Sequence, residues 1–379
     1  MTPCSPGHHV LMTADAVGGV WVYASSLAVE LARRGWRVTL VTLGPAPRQD
    51  QVAPLLSHTG IDLEHADLAL EWQDPDGKDR QRVLDYLDAL EERVRPDIVH
   101  LNGYREALAP WRAPVVVAAH SCVGSWWRAC RGTGPEANWQ PYLADISAGL
   151  SAADRWVAPT AAFRDTIQQL YAPPRPGGVI WNGMETLPDS VGGKDAFILA
   201  AGRLWDEAKN IGVLPEAVRR LDWPLHMAGA ARQSENFAAA PTGLQILGNL
   251  PRAELLAIMQ KAGIFVSPAV YEPFGLTVLE AAASRCALVL SDIATFRELW
   301  AGAALFVNPR DPAAIEAALT ALCRDASLRQ RLQHAAKRRA ARYTIAAKAD
   351  AYQQVYTEML RRPERRVPLP RPSRIEARA

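Results

Sequence analysis

Short apolar runs recur along this chain, each followed by a polar or glycine-bearing turn and then a longer stretch with apolar residues every three or four positions. The runs read as buried strands and the longer stretches as helices. In the first half, strands are predicted at 10–13, 36–43, 61–63, 97–101, 115–119 and 156–158, with helices over 20–34, 79–94, 139–152 and 161–170. In the second half, strands are predicted at 197–201, 225–228, 264–267, 286–290 and 304–307, with a further strand and turn at 244–250. The helices there are expected over 210–221, 252–262, 275–283, near 292–298, and over 312–325, 328–342 and 346–360. Residues 230–243 read as a polar loop, and 184–195 as a Gly-containing polar linker. Strand–helix alternation in both halves argues an α/β protein of two doubly wound domains.

The densest chemistry lies at 264–280, which reads I-F-V-S-P-A-V-Y-E-P-F-G-L-T-V-L-E. Pro273 favours a break before the helix, not inside it. Glu272 therefore hangs on the loop at the strand's C-terminal end, and Glu280 lies within the helix. In a doubly wound sheet this end faces the ligand crevice. The free N–H groups and positive dipole end of the helix suit a phosphate. Two carboxylates beside a phosphate would repel it unless they bind something else. Vicinal sugar hydroxyls are natural partners, because a carboxylate accepts two hydrogen bonds from a diol.

With P-F-G at this offset, the pair Glu272 and Glu280 resembles the retaining glycosyltransferases of family 4, which have the GT-B fold. The string G-R-L…K-N at 202–210 resembles the same family. The resemblance implies that Arg203 and Lys209 clamp the donor's diphosphate. Two cations at a strand end can offset a leaving diphosphate's charge with no metal. It further implies that Glu280 holds the ribose, and that Glu272 with the backbone of Phe274, Gly275, Leu276 and Thr277 holds the sugar. The turn ending at Leu250 would contact the base through backbone, which leaves uridine against guanosine open. The pair Gly18-Gly19 would face the donor across the cleft; an ordinary tight turn is the alternative. His120 matches the family's histidine near the reacting end of the sugar, so the catalytic candidates are Arg203, Lys209, Glu272 and His120. Asn102 and Tyr104 share that strand edge. Trp126, Trp127, Tyr104 and Arg128 line an acceptor pocket, or else the loop S-C-V-G-S-W-W-R is packed by its own tryptophans. The family's I-P-N-G-V-D crossing stands here as I-W-N-G-M-E, with Trp181, Met184 and Glu185 departing from it.

The implied organisation is an acceptor-binding domain at 1–183, a nucleotide-sugar-binding domain at 184–345 and a helix at 346–362 that crosses back to the first domain. A Pro- and Arg-rich tail at 363–379 is expected to be disordered. The implied function is metal-independent hexosyl transfer, by front-face substitution, from a UDP- or GDP-sugar to a small-molecule, lipid-linked or glycan acceptor. Rival readings are a nucleotide-sugar epimerase or hydrolase of this fold, and a non-catalytic nucleotide-sugar-binding protein. A dinucleotide oxidoreductase is disfavoured because G-x-G-x-x-G is missing.

Composition narrows this further. The 379 residues suit two domains, and a net charge of +2 gives no argument for nucleic acid. Five cysteines with no C-x-x-C pair suggest reduced thiols and no metal site. No apolar run approaches the roughly 18–20 residues of a membrane helix, and the N-terminus has no signal-peptide layout. A cytoplasmic protein is expected, with peripheral contact at the inner membrane face left open.

Overall fold

The computed structural model describes residues 7–188, 192–230 and 243–361. The predicted tail at 363–379, most of the 230–243 loop and part of the 184–195 linker lie outside these described residues.

The first domain contains β1 (His9–Asp15), α1 (Gly19–Arg33), β2 (Arg37–Leu43), α2 (Gln49–Leu56), β3 (Ile61–Ala66) and α3 (Arg80–Val94). It continues with β4 (Ile98–Leu101), β5 (Val115–Ala118), α4 (Val123–Arg131), α5 (Gln140–Ala152), β6 (Arg155–Ala158), α6 (Ala161–Tyr171) and β7 (Gly178–Val179). The second contains β8 (Asp195–Ala201), α7 (Leu214–Ala217), β9 (Leu225–Ala228), β10 (Leu244–Gly248), α8 (Arg252–Lys261), β11 (Ala262–Ser267) and α9 (Leu276–Ala283). β12 (Ala287–Ser291), α10 (Ala294–Trp300), β13 (Ala304–Val307), α11 (Pro312–Arg324), α12 (Ala326–Ala340) and α13 (Ile345–Arg361) complete the chain.

Every strand pairing is parallel. The first sheet runs β3-β2-β1-β4-β5-β6-β7, the second β10-β9-β8-β11-β12-β13. Helices cover both faces, so central strands such as Ile98–Leu101 are buried at every position, which is why they read as unbroken apolar runs. The strand order reverses between β1 and β4 in one sheet and between β8 and β11 in the other. Those are the topological switch points, where open parallel sheets bind ligands beyond the strands' carboxyl ends.

Two expectations need correction. The helix predicted over 210–221 is a 3₁₀ turn, Ile211–Val213, followed by the four-residue α7. Pro215 lacks the N–H that would bond back to Ile211, which breaks the α-helical ladder at that point. The segment S-C-V-G-S-W-W-R, predicted as a loop, forms α4. The Cys122 thiol caps that helix by accepting from Ser125 N–H at 3.3 Å, and Gly132 closes it in a left-handed conformation, φ 71°.

α13 leaves the second domain and packs on the first. Ala349, Tyr352, Tyr356 and Met359 join Trp21, Tyr23 and Leu27 of α1 in one core cluster. The chain crosses between domains twice at one place. Met184 N–H donates to Tyr343 O at 3.1 Å and Ile345 N–H to Met184 O at 2.9 Å. A Cβ on Gly183 would stand 2.1 Å from the Thr344 carbonyl oxygen. Gly183→Ala must therefore push the two crossings apart. The expected result is a loss of about 1–3 kcal/mol of stability, read from denaturant unfolding followed by tryptophan fluorescence. An unchanged midpoint would contradict the close approach.

Candidate functional site between the two sheets

The carboxyl ends of the two switch points face one another. From β1 comes the Gly18-Gly19 turn; from β8 the loop bearing Arg203 and Lys209; from β11 the loop bearing Glu272, which runs into α9. A Cβ on Gly18, whose φ is +78°, would lie 3.2 Å from Arg203 Nη1, and one on Gly19 would lie 3.8 Å from Leu276 Cδ1. The glycine pair is thus turned toward the second domain, and a side chain at either position would fill the space beside Arg203 and α9.

The cations are pre-paired. Arg203 donates from Nε and Nη2 to Asp206 Oδ2 at 3.1 and 2.6 Å. Lys209 Nζ bonds Glu272 Oε2 at 2.5 Å. Two residues expected to touch a ligand, one through diphosphate and one through sugar, are therefore ion-paired with each other. The two donor-side loops are stapled together: Val270 N–H donates to Ala208 O at 2.9 Å, and Asn210 Nδ2 to Pro268 O at 3.1 Å.

α9 opens at Gly275, left-handed at φ 84°, with no side chain capping its first turn. The free N–H groups around Leu276 and Thr277 are left facing the gap, the arrangement that binds anions. Phe274 is only 3% exposed and belongs to the core of the second domain, so only its backbone is open to a ligand. Glu280 is 7% exposed and bonds Arg252 Nε at 2.7 Å. Burial raises its carboxyl above the usual range, and Arg252 works against that rise. Arg252 opens α8 just after the half-buried Leu250.

On the first domain, His120 Nε2 lies 2.7 Å from Asn102 Oδ1. The Asn102 amide donates from Nδ2 to Thr13 O, so its oxygen faces the ring and His120 carries its proton on Nε2. Burial, helped by Lys348, pushes His120 down to about 3; the ring is neutral and its Nδ1 is an acceptor. Glu106 accepts from Thr13 Oγ1, and that hydroxyl in turn accepts from Asn102 N–H at 3.0 Å. Burial raises Glu106 to about 8 and Asp15 to about 6.

Of the four residues expected to line one acceptor pocket, Trp126 and Trp127 pack on each other while Tyr104 and Arg128 lie apart from them. Tyr104 is 1% exposed inside the core and faces no cleft. Arg128 is exposed and lines a groove of about 490 Å³ between α4, α5 and α6, together with Gln140, Ser147 and Tyr171, all of the first domain. Trp127 lies beneath Arg131, whose Cζ is 4.7 Å from its ring centroid. Trp126 lies beside it, its ring centroid 5.9 Å from that of Trp127 and 5.6 Å from the same guanidinium, with its indole Nε1 3.4 Å from Asp206 Oδ1 across the cleft.

Sequence reasoning assigned no role to Tyr271, Arg252 or Glu298. Tyr271 leaves the second domain and ends 2.7 Å from Ser125 Oγ, within the first domain's core cluster. Glu298 accepts from Ala161 and Ala162 N–H at 2.9 and 2.8 Å and so holds the start of α6. Tyr271 stood one residue before Glu272, but an aromatic beside a motif carries no signal of what it reaches 146 residues away.

Fold and cleft together define a two-domain protein of the GT-B type. The family model "Glycosyltransferase Family 4" matches residues 17–186 and "Glycosyl transferases group 1" matches 189–339. The chain belongs to the GT-B glycosyltransferases of family 4. Over 349 residues it is 26% identical to alpha-maltose-1-phosphate synthase of Mycolicibacterium smegmatis, covering 80% of this chain and 85% of that protein. A stretch of 97 residues is 39% identical to glycogen synthase of Mycobacterium tuberculosis, which is 25% of this chain and 23% of the length of that relative. Among solved structures, sucrose-phosphate synthase from Thermosynechococcus elongatus has the same fold, with TM-score 0.77 at 17% identity over 93% of this chain and 99% of that one. Anabaena HepE in complex with UDP and glucose has TM-score 0.76 at 15% identity, over 93% and 100%. Among the described residues, no helix is long and apolar enough to cross a membrane.

Proposed function

We propose that this protein is a retaining glycosyltransferase that moves a hexosyl unit from a UDP- or GDP-sugar to an acceptor hydroxyl, without a bound metal. The observation that carries the reading is the meeting of Arg203, Lys209 and the uncapped start of α9 at one switch point, flanked by Glu272 and Glu280. A diphosphate fits the cations and N–H groups; the carboxylates suit hydroxyls on either side. HepE, with the same fold, is described with UDP and glucose, which favours UDP here.

In the step proposed, the bond from the anomeric carbon to the diphosphate oxygen breaks while the acceptor oxygen bonds that carbon from the same face. The acceptor's proton passes to the leaving phosphate oxygen, giving a glycoside and a nucleoside diphosphate. Arg203 and Lys209 take up the charge on the departing diphosphate. His120, neutral and held by Asn102, offers a hydrogen-bond acceptor and no acid. The four cysteines among the described residues are all free, which supports a reducing, cytoplasmic setting.

A thermal-shift panel of UDP, GDP, ADP and their sugars tests the donor, since a ligand of the folded state raises the midpoint. One diphosphate is expected to do so, with or without EDTA; no shift from any of them would overturn the donor reading. Product analysis then separates transfer, which yields an α-glycoside from an α-linked donor, from hydrolysis, which yields free sugar whatever the acceptor.

A further inference from the structure

Asp206 is 7% exposed; both its oxygens hold its own loop, and one of them also reaches the opposite domain. Oδ2 accepts from Arg203 Nε and Nη2 at 3.1 and 2.6 Å. Oδ1 accepts from Ala208 N–H at 2.9 Å, closing the turn, and from the Trp126 indole at 3.4 Å. Trp126 belongs to α4, in the other domain. A guanidinium is a rigid planar fork, so gripping one edge aims the other. The edge left over ends in Nη1, 3.2 Å from where a Gly18 Cβ would stand. Burial alone would raise the Asp206 carboxyl, but Arg203, the Ala208 N–H and Lys209 hold it below its usual range, so it stays ionised beside its partner. Asp15, on the far side, also acts on Arg203 through its charge.

We propose that Asp206 is a positioning residue for the diphosphate clamp: it aims Arg203 into the cleft, and Trp126 steadies it from the opposite domain when the two domains are together. This rests on Arg203 being a diphosphate ligand. The role is not a donor contact, because Asp206 faces Arg203 and Trp126, not the gap. An Asn at this position offers an amide N–H₂ where Arg203 also donates, or else gives up the Ala208 N–H, so the grip on Nε and Nη2 fails. Phe in place of Trp126 keeps the ring and removes the indole N–H.

The test is calorimetric titration of UDP and of UMP, which lacks the second phosphate, into wild type, Asp206→Asn and Trp126→Phe. GDP and GMP take their place if wild type binds GDP instead. For Asp206→Asn, UDP affinity is expected to fall about tenfold, the scale of one weakened charge-assisted contact, while UMP affinity stays within about twofold. For Trp126→Phe the UDP affinity is expected to fall about threefold with the same selectivity, and this variant carries the test if Asp206→Asn does not fold. Unchanged UDP affinity, or equal losses for UDP and UMP as a collapsed loop would give, overturns the positioning role. Failure of wild type to bind either diphosphate overturns the donor reading and this role with it, and shows before any variant is made.

Discussion

Replacing Lys209 with alanine is expected to lower turnover about 100- to 1,000-fold, the loss typical of removing one preorganised group that meets developing charge. The ammonium lies on the loop after β8 beside the start of α9, where a departing diphosphate would sit. It is 23% exposed and paired with Glu272, which is 15% exposed. In so shielded a place charge acts more strongly than in water, and few solvent molecules can replace the lost cation. Alanine also strands the Glu272 carboxylate, now unpaired at the sugar side, so both functions of the site suffer together. The Lys209 stem supports the loop as well: a Cβ on Gly202 would be 3.5 Å from its Cγ. Lys209→Met therefore serves as a second variant that keeps the stem and removes only the charge. The measurement is turnover with the donor identified by the thermal-shift panel, with circular dichroism to confirm the fold. Wild-type turnover in Lys209→Met would remove the lysine from the chemistry.

The strands and the doubly wound class were legible because buried parallel strands are nearly unbroken apolar runs, and β4 and β12 are buried at every residue; their order in each sheet was not. The donor-side candidates could be named because loop, proline, glycine and helix start follow each other within a few positions of Glu272, and the structure places Lys209, Glu272 and the start of α9 together. What escaped was of two kinds. Local exceptions misled the periodicity: Pro215 split a predicted helix, and a cysteine thiol capped α4, where Ser, Thr, Asp or Asn would have signalled a start. Two acceptor-side candidates ended away from the cleft for a different reason. Tyr104 and Arg128 lie close in sequence to real cleft residues, but an aromatic at a strand end suits a core as well as a pocket. Partnerships across the chain carry no pattern at all. Trp126 with Asp206, Arg252 with Glu280 and Tyr271 with Ser125 are separated by 80, 28 and 146 positions. The first and third arise from how the domains meet and the second from how two helices of one domain pack, and hydrophobic periodicity encodes neither.

The cations of the site are paired with carboxylates of their own domain. Arg203 rests on Asp206, Lys209 on Glu272 and Arg252 on Glu280. In each pair the carboxylate is the more buried member and the cation the more exposed one.

Glu106→Gln is expected to gain stability relative to wild type as pH rises from about 6 to 8.5. Burial lifts the folded-state Glu106 from its usual 4.5 to about 8. A carboxyl raised in this way stabilises the folded state fully below the lower value, and that contribution is lost as pH climbs through the upper one. The slope approaches about 1.4 kcal/mol per pH unit within the window. Absolute pH profiles would mix this with groups of the opposite sign, such as His120 and the buried Lys348, both pushed down by burial. The difference between the variant and wild type isolates Glu106. Glutamine keeps the shape and an acceptor for Thr13 Oγ1, so the chain from Thr13 through Asn102 to His120 should survive. Denaturant unfolding at several pH values provides the comparison. A constant difference across the range would show that Glu106 is ionised in the folded protein at pH 6, and that the Thr13 hydroxyl and nearby backbone N–H groups satisfy its charge despite burial.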